Sequence, residues 1–122
     1  MFSIRGAVTV KKNDANQIIE ATKSMVSKII EKNMLKDEDI ISFIFTVTRD
    51  LDQVYPGRAV RDLGFVKTSI LCLQEMYVKS SLKKCIRVMI LADGLKDKNK
   101  IKHIYLKEAT NLREDQFFNT QE

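Results

Sequence analysis

The sequence predicts a single α+β domain, a mixed β-sheet with one long and one short helix on the same face. Three observations lead there. Apolar residues recur at helical spacing over one long stretch, from Asp14 to about Asn33, and again only briefly between Tyr55 and Gly64. Five other stretches are short, apolar and rich in β-branched or aromatic residues, which suits strands. Finally, 122 residues hold one core, because dividing them leaves neither half enough apolar surface to stabilise itself.

Phe2 to Val10 alternates as a strand does, with Ile4, Gly6, Val8 and Val10 on one face and Arg5, Ala7 and Thr9 on the other. Arg5 therefore points away from the aliphatic face. Asp14 is the predicted cap of the long helix, with Gln17 three residues on. Ile18, Thr22, Met25 and Ile29, with Ile19, Val26 and Ile30, form its apolar side, and Glu20, Lys23, Ser27, Glu31 and Lys32 meet water. Ile40 to Val47 is almost unbroken in its apolar character and reads as a buried central strand. After a polar connection from Thr48 to Gln53, the short helix has Pro56 near its start and Gly64 past its end. Val66 to Leu73, Cys85 to Ala92 and Ile101 to Leu106 are the remaining strands. The domain is expected to span residues 1–113, with 114–122 a polar, flexible tail. Helices on one face leave the other face bare, and a homo-oligomer is the natural way to cover it.

Composition narrows the function. Lys and Arg number 21 against 16 acidic residues, a net charge of +5, but the lysines are scattered and interleaved with Asp and Glu. That pattern is a solvated surface rather than a phosphate-binding stripe, so no nucleic-acid partner is expected. No secretory signal and no bilayer-length apolar run is present, so the expectation is a cytoplasmic protein with no membrane partner. Cys72 and Cys85 lie in apolar runs and read as two thiols. With one histidine, His103, and no close cysteine pair, there is no metal-ligand spacing, and neither metal nor cofactor is expected.

Three charges sit in runs that otherwise read as buried: Arg5, Glu75 and Arg87. A guanidinium keeps its charge at any working pH, so a sheltered Arg needs an anionic partner or a wet cleft. Two readings stay open on spacing alone. One is a structural ion pair, Arg87 to Glu75 across neighbouring strands. The other is a site in which two arginines outnumber one carboxylate and leave room for a small acidic ligand, whose carboxylates suit the planar fork of Arg.

Around these residues the blocks Arg5-Gly6-Ala7, Asp50-Leu51-Asp52, Tyr55-Pro56-Gly57-Arg58-Ala59-Val60-Arg61, Cys72-Leu73-Gln74-Glu75-Met76 and Leu82-Lys83-Lys84-Cys85-Ile86-Arg87-Val88-Met89 occur in order. His103-Ile104-Tyr105-Leu106, Ala109 and Leu112-Arg113 follow. In this set the chain resembles the AroH-type chorismate mutases, from Arg5 to Arg113. The resemblance implies an isomerase of aromatic amino-acid biosynthesis that converts chorismate to prephenate by an intramolecular Claisen rearrangement, with no cofactor or metal. It implies a homotrimer, a pseudo-barrel of packed sheets with active sites between subunits. By the same resemblance Arg87 binds the ether oxygen and a carboxylate, Arg5 and Tyr105 hold carboxylate, and Glu75 accepts from the ring hydroxyl. Leu71, Cys72, Leu73 and Gln74 line the pocket, Cys72 through its backbone, while Tyr55, Gly57, Arg58 and Arg61 complete it across the interface with Arg113 near the mouth.

The chain departs from the family pattern at Tyr55, where Phe is expected, at Arg49, where Pro is expected, and at Ser80 and Ser81, where a small or glycine-rich turn is expected. Val8 and Gly57 are also atypical, and Gly57 is expected to loosen the start of the short helix. Two other functions compete: a related trimeric enzyme of the imine deaminase type, which also sets an Arg at an interface, and a non-enzymatic nucleic-acid or regulatory module suggested by the +5 charge.

Overall fold

The computed structural model describes residues 1–112. Five strands and two helices follow one another as β1 (Phe2–Thr9), α1 (Ala15–Lys32), β2 (Ile40–Val47), α2 (Gly57–Asp62), β3 (Ser69–Gln74), β4 (Cys85–Ala92) and β5 (Ile104–Leu106). The strands form one sheet in the order β3-β2-β4-β1-β5. β4 runs antiparallel to β1 and β2, whereas β3 joins β2 and β5 joins β1 in parallel, so the sheet is mixed as expected.

Helix α1 starts where a side chain can satisfy its first free amides. Asp14 accepts from the Gln17 amide at 3.0 Å, and the Gln17 side chain in turn accepts from the amide of Lys12, two residues before the cap. Ile18, Met25, Val26 and Ile29 are fully buried against Ile4, Val8, Phe43, Phe45, Ile86 and Ile90. Each such side chain contributes about 1.5–3 kcal/mol by leaving water, so this one helix–sheet interface dominates the stability of the chain. Residues of β2 that face the helix are buried, but Ile41 is exposed and Ile44 and Thr46 are only half covered. The strand is central in the sheet and yet open on its far side.

The edge strands are shorter than their apolar runs. β3 begins at Ser69, not Val66, because Gly64 at φ +104° ends α2 and Arg61 donates to the Phe65 carbonyl at 2.6 Å, holding the chain in a turn through which Val66 stays exposed. β5 is confined to Ile104–Leu106 because the backbone of Lys102 is claimed elsewhere. Its carbonyl accepts from Asn33 Nδ2 at 2.8 Å and its N–H donates to Asn33 Oδ1 at 2.9 Å. Ser80 holds φ +68°, a conformation that explains the preference for glycine in this turn. Arg49 lies 3.8 Å over the Tyr77 ring, fastening the loop after β3 to the exit of β2.

Gly57 is buried, and its role is close approach rather than looseness. A Cβ there would sit 2.7 Å from Ile70 Cγ2 and 3.2 Å from Cys72 Sγ. Gly57→Ala should destabilise the fold by about 1–3 kcal/mol through overpacking. In urea unfolding, Ile70→Ala should also destabilise, and the double variant should cost clearly less than the sum of the two.

His103, just before β5, ties that edge to β1 by accepting a hydrogen bond from the Arg5 amide at Nδ1, 2.9 Å away. Partial burial and the neighbouring Arg5 charge hold its imidazole below the ordinary value of 6.5. The unfolded chain therefore takes up a proton at a pH where the folded chain does not. Stability is full above pH 6.5 and falls as the pH drops from there through the lowered folded value. Melting temperatures measured across this range should show that acid-side loss in the native chain and a shallower one in His103→Asn.

Candidate active site

Strand register builds the site. Leu73 of β3 is opposite Thr46 of β2, Thr46 is opposite Arg87 of β4, Arg87 is opposite Ala7 of β1, and Ala7 is opposite Tyr105 of β5. Directly paired residues share a face, so Leu73, Thr46, Arg87, Ala7 and Tyr105 form one row across the face that α1 does not cover. The adjoining row on that face holds Leu71, Ile44, Met89 and Arg5. The period of two that sent Ile4, Val8, Phe45 and Val88 into the core thus collects two arginines and a tyrosine on the opposite side.

Glu75 follows β3 directly, its amide donating to the Val47 carbonyl at 2.8 Å. Its Oε1 lies 3.3 Å from Arg87 Nε, so the expected ion pair exists. It does not join neighbouring strands, because β2 lies between β3 and β4, and the carboxylate reaches across that strand above Thr46. Thr46 donates its hydroxyl to the same oxygen at 2.5 Å. Sequence reasoning passed over Thr46, which reads as an ordinary β-branched strand residue. The available signal was a hydroxyl inside an otherwise apolar run.

The ion pair does not satisfy Arg87. Its Nε is out of contact with solvent yet makes no hydrogen bond among the described residues, because the N–H is not aimed at the carboxylate 3.3 Å away. The Arg87 side chain as a whole is 42% exposed and Arg5 is exposed, so neither is buried within one chain. Their sheltered reading from sequence needs correction within one chain: they lie on the face of the sheet that the α-helices leave open, which Ala109 and Leu112 cover only over Ala7 and Cys85. Tyr105 is half-buried beside both, and burial pushes its phenol up against the pull of Arg5 and Arg87. Arg5, Arg87 and Glu75 thus leave a net positive charge near Tyr105, a donor set chemically suited to a small carboxylate.

The remaining candidates lie to one side. Tyr55, Pro56, Cys72, Leu73 and Gln74 line a groove of about 560 Å³ at the β3 edge, with Arg49. Tyr55 and Arg58 are exposed, and Arg61 is engaged with the Phe65 carbonyl. Neither Arg5 nor Arg87 lines this groove. Cys72 packs towards Gly57, so the face bearing the arginines receives only its neighbours' side chains. Burial pushes the thiols of Cys72 and Cys85 up, which makes both poor nucleophiles. Arg113 and the predicted tail 114–122 lie outside the described residues. Among the described residues, no helix is long and apolar enough to cross a membrane.

Comparison with known proteins agrees with this geometry. The family model described as chorismate mutase type I matches residues 1–116. Chorismate mutase AroH of Bacillus subtilis is 42% identical over 113 residues, covering 92% of this chain and 89% of that protein. Chorismate mutase AroH of Thermus thermophilus is 36% identical over 113 residues, covering 92% and 93%. A solved chorismate mutase from Clostridium thermocellum superposes with a TM-score of 0.89 at 46% identity, covering 91% of this chain and 99% of that one. An α+β sheet whose open face carries Arg5, Arg87, Glu75 and Tyr105, matched along nearly its whole length by these proteins, belongs to the type I chorismate mutase family.

Proposed function

We propose that this chorismate mutase converts chorismate to prephenate by holding the substrate in its reactive conformer and meeting developing negative charge with Arg87. The reaction is an intramolecular Claisen rearrangement: the ether C–O bond breaks as a C–C bond forms, and no proton, electron or leaving group passes to the protein. The catalyst must restrict the flexible enolpyruvyl arm and stabilise charge gathering on the ether oxygen. Metal and cofactor have no part in the proposed step.

The observation that carries the reading is the Arg87 side chain, 42% exposed on this face and held by Glu75 at 3.3 Å without, among the described residues, a hydrogen bond that completes the pair. Nε itself is beyond the reach of solvent and so of a ligand, and the exposed remainder of the side chain is what an anionic ligand can meet. In the proposed mechanism Arg87 reaches the ether oxygen and the side-chain carboxylate, Arg5 and Tyr105 hold carboxylate, and Glu75 accepts from the ring hydroxyl, with Oε1 already accepting from Thr46 and Oε2 without a hydrogen bond among the described residues. Binding is stronger as the ether oxygen gains charge, so the arginine acts differentially on the transition state.

We further propose a homotrimer in which the Tyr55 groove of one subunit, with Gly57, Arg58 and Arg61, closes over the arginine face of the next. Support comes from Leu71, Leu73 and Met89, which are large, apolar and 54%, 46% and 38% exposed on that face. Substrate would also meet Leu71 to Gln74 and, at the mouth, Arg113. The scattered positive charge gives no reason to add a nucleic-acid partner, and two unpaired thiols fit work in the cytoplasm.

Loss of chorismate absorbance in the ultraviolet tests the chemistry. Arg87→Lys keeps the charge but loses the fork, and kcat/KM should fall by about 2–4 kcal/mol of transition-state stabilisation. Near-native activity in a folded Arg87→Lys protein would remove Arg87 from its role. For the assembly, solution mass should be three times that of the chain. Unfolding and refolding a mixture of inactive Arg87→Ala and impaired Arg58→Ala chains should recover activity that neither has alone, which a site within one subunit could not do.

A further inference from the structure

Glu75 has a fixed backbone and a side chain with several rotatable bonds. Its amide is tied to Val47, but three torsions separate that anchor from the carboxylate, and ordering such a chain costs about 1.5–2 kcal/mol. Arg87 alone cannot supply the order, because its Nε–H is not directed at the carboxylate. The remaining contact is the 2.5 Å hydrogen bond from Thr46.

We infer that Thr46 is a positioning residue that locks Glu75 Oε1, so that Oε2 is presented to the substrate and the guanidinium fork of Arg87 stays open. Thr46 is well built for this. It lies between β3 and β4 in the row directly opposite Arg87, on the strand that Glu75 must cross. A β-branched side chain on a strand paired at both edges has a restricted χ1, and its hydroxyl offers a single proton, which goes to Oε1. Without it, the carboxylate is free to turn towards the nearby cation 3.3 Å away and close the fork that a substrate carboxylate would otherwise enter. The inference rests on the proposed role of Glu75 as acceptor of the ring hydroxyl.

The test is a double-mutant cycle on kcat/KM, with Thr46→Val, Thr46→Ser, Glu75→Ala and Thr46→Val/Glu75→Ala measured alongside their melting temperatures. Valine fits the strand, so folding should persist. Thr46→Val should lower kcat/KM about tenfold, the scale of a hydrogen bond to a charged group, chiefly through a higher KM. Thr46→Ser, which keeps the hydroxyl, should restore activity to within about threefold of native on the same scale. In the Glu75→Ala background the Thr46→Val change should have no further effect, since nothing remains to be positioned. Equal losses in both backgrounds, or no rescue by serine, would reduce Thr46 to a packing residue and overturn the inference alone. A silent Glu75→Ala would overturn the role of Glu75 and the inference with it.

Discussion

Everything about the site follows from one constraint: among the described residues both α-helices pack on the same face of a five-stranded sheet, and the opposite face is covered only towards one end, where Ala109 and Leu112 of a single 3-10 turn lie on Ala7, Cys85 and Tyr105. Ile18, Met25, Val26 and Ile29 of α1 consume one side of every central strand. Alternation then assigns each strand's other side chains to a surface covered only where Ala109 and Leu112 pack on Ala7 and Cys85, and on the rest of it charge can be carried without the desolvation that a core would impose. Arg5 and Arg87 are tolerated on this sheet because it is only half a core. Their proximity needs no loop or hinge; it comes from strand pairing at fixed register.

Partial neutralisation is the second element of the design. A single carboxylate, Glu75, is set against two guanidinium groups, and it engages one of them without completing its hydrogen bonds. A fully paired Arg87 would be a structural ion pair with nothing left to give a ligand. A fully unpaired one would lack a fixed position. The arrangement between these limits keeps the charge close to one place while leaving donors for an incoming oxygen, which is the meaning of preorganisation in an electrostatic catalyst.

How much of this was legible in the sequence follows from where each element gets its information. β2 and β4 begin and end where their apolar runs do, because interior strands are covered along one face and paired on both edges. β3 and β5 do not, since their ends are decided by the Gly64 turn and by Asn33 gripping Lys102 from 69 residues away. Periodicity carries no trace of such contacts. Period two was enough to set Arg5 off the aliphatic face, but the row from Leu73 to Tyr105 depends on pairing between strands distant in sequence, and the blocks shared with the family stood in for that knowledge. Thr46 escaped because its role appears only once Glu75 is seen to cross β2.

The kind of chemistry also explains what the site does without. Rearrangement of an ether into a carbon–carbon bond moves no proton to the protein, so a group poised to titrate near neutral pH would bring charge fluctuation and no catalytic gain. The residues on this face suit that demand. Guanidinium groups keep their charge, the Tyr105 phenol is pushed up and stays a donor, and the one imidazole is held down, neutral, and occupied with the Arg5 amide. His103 and Tyr105 thus shift in opposite directions to the same end, so that neither changes its charge near neutral pH. Fixed position, with Thr46 holding the Glu75 carboxylate in place between the two arginines' strands and its own, is what allows a half-covered sheet to act as an electrostatic template in the mechanism proposed above.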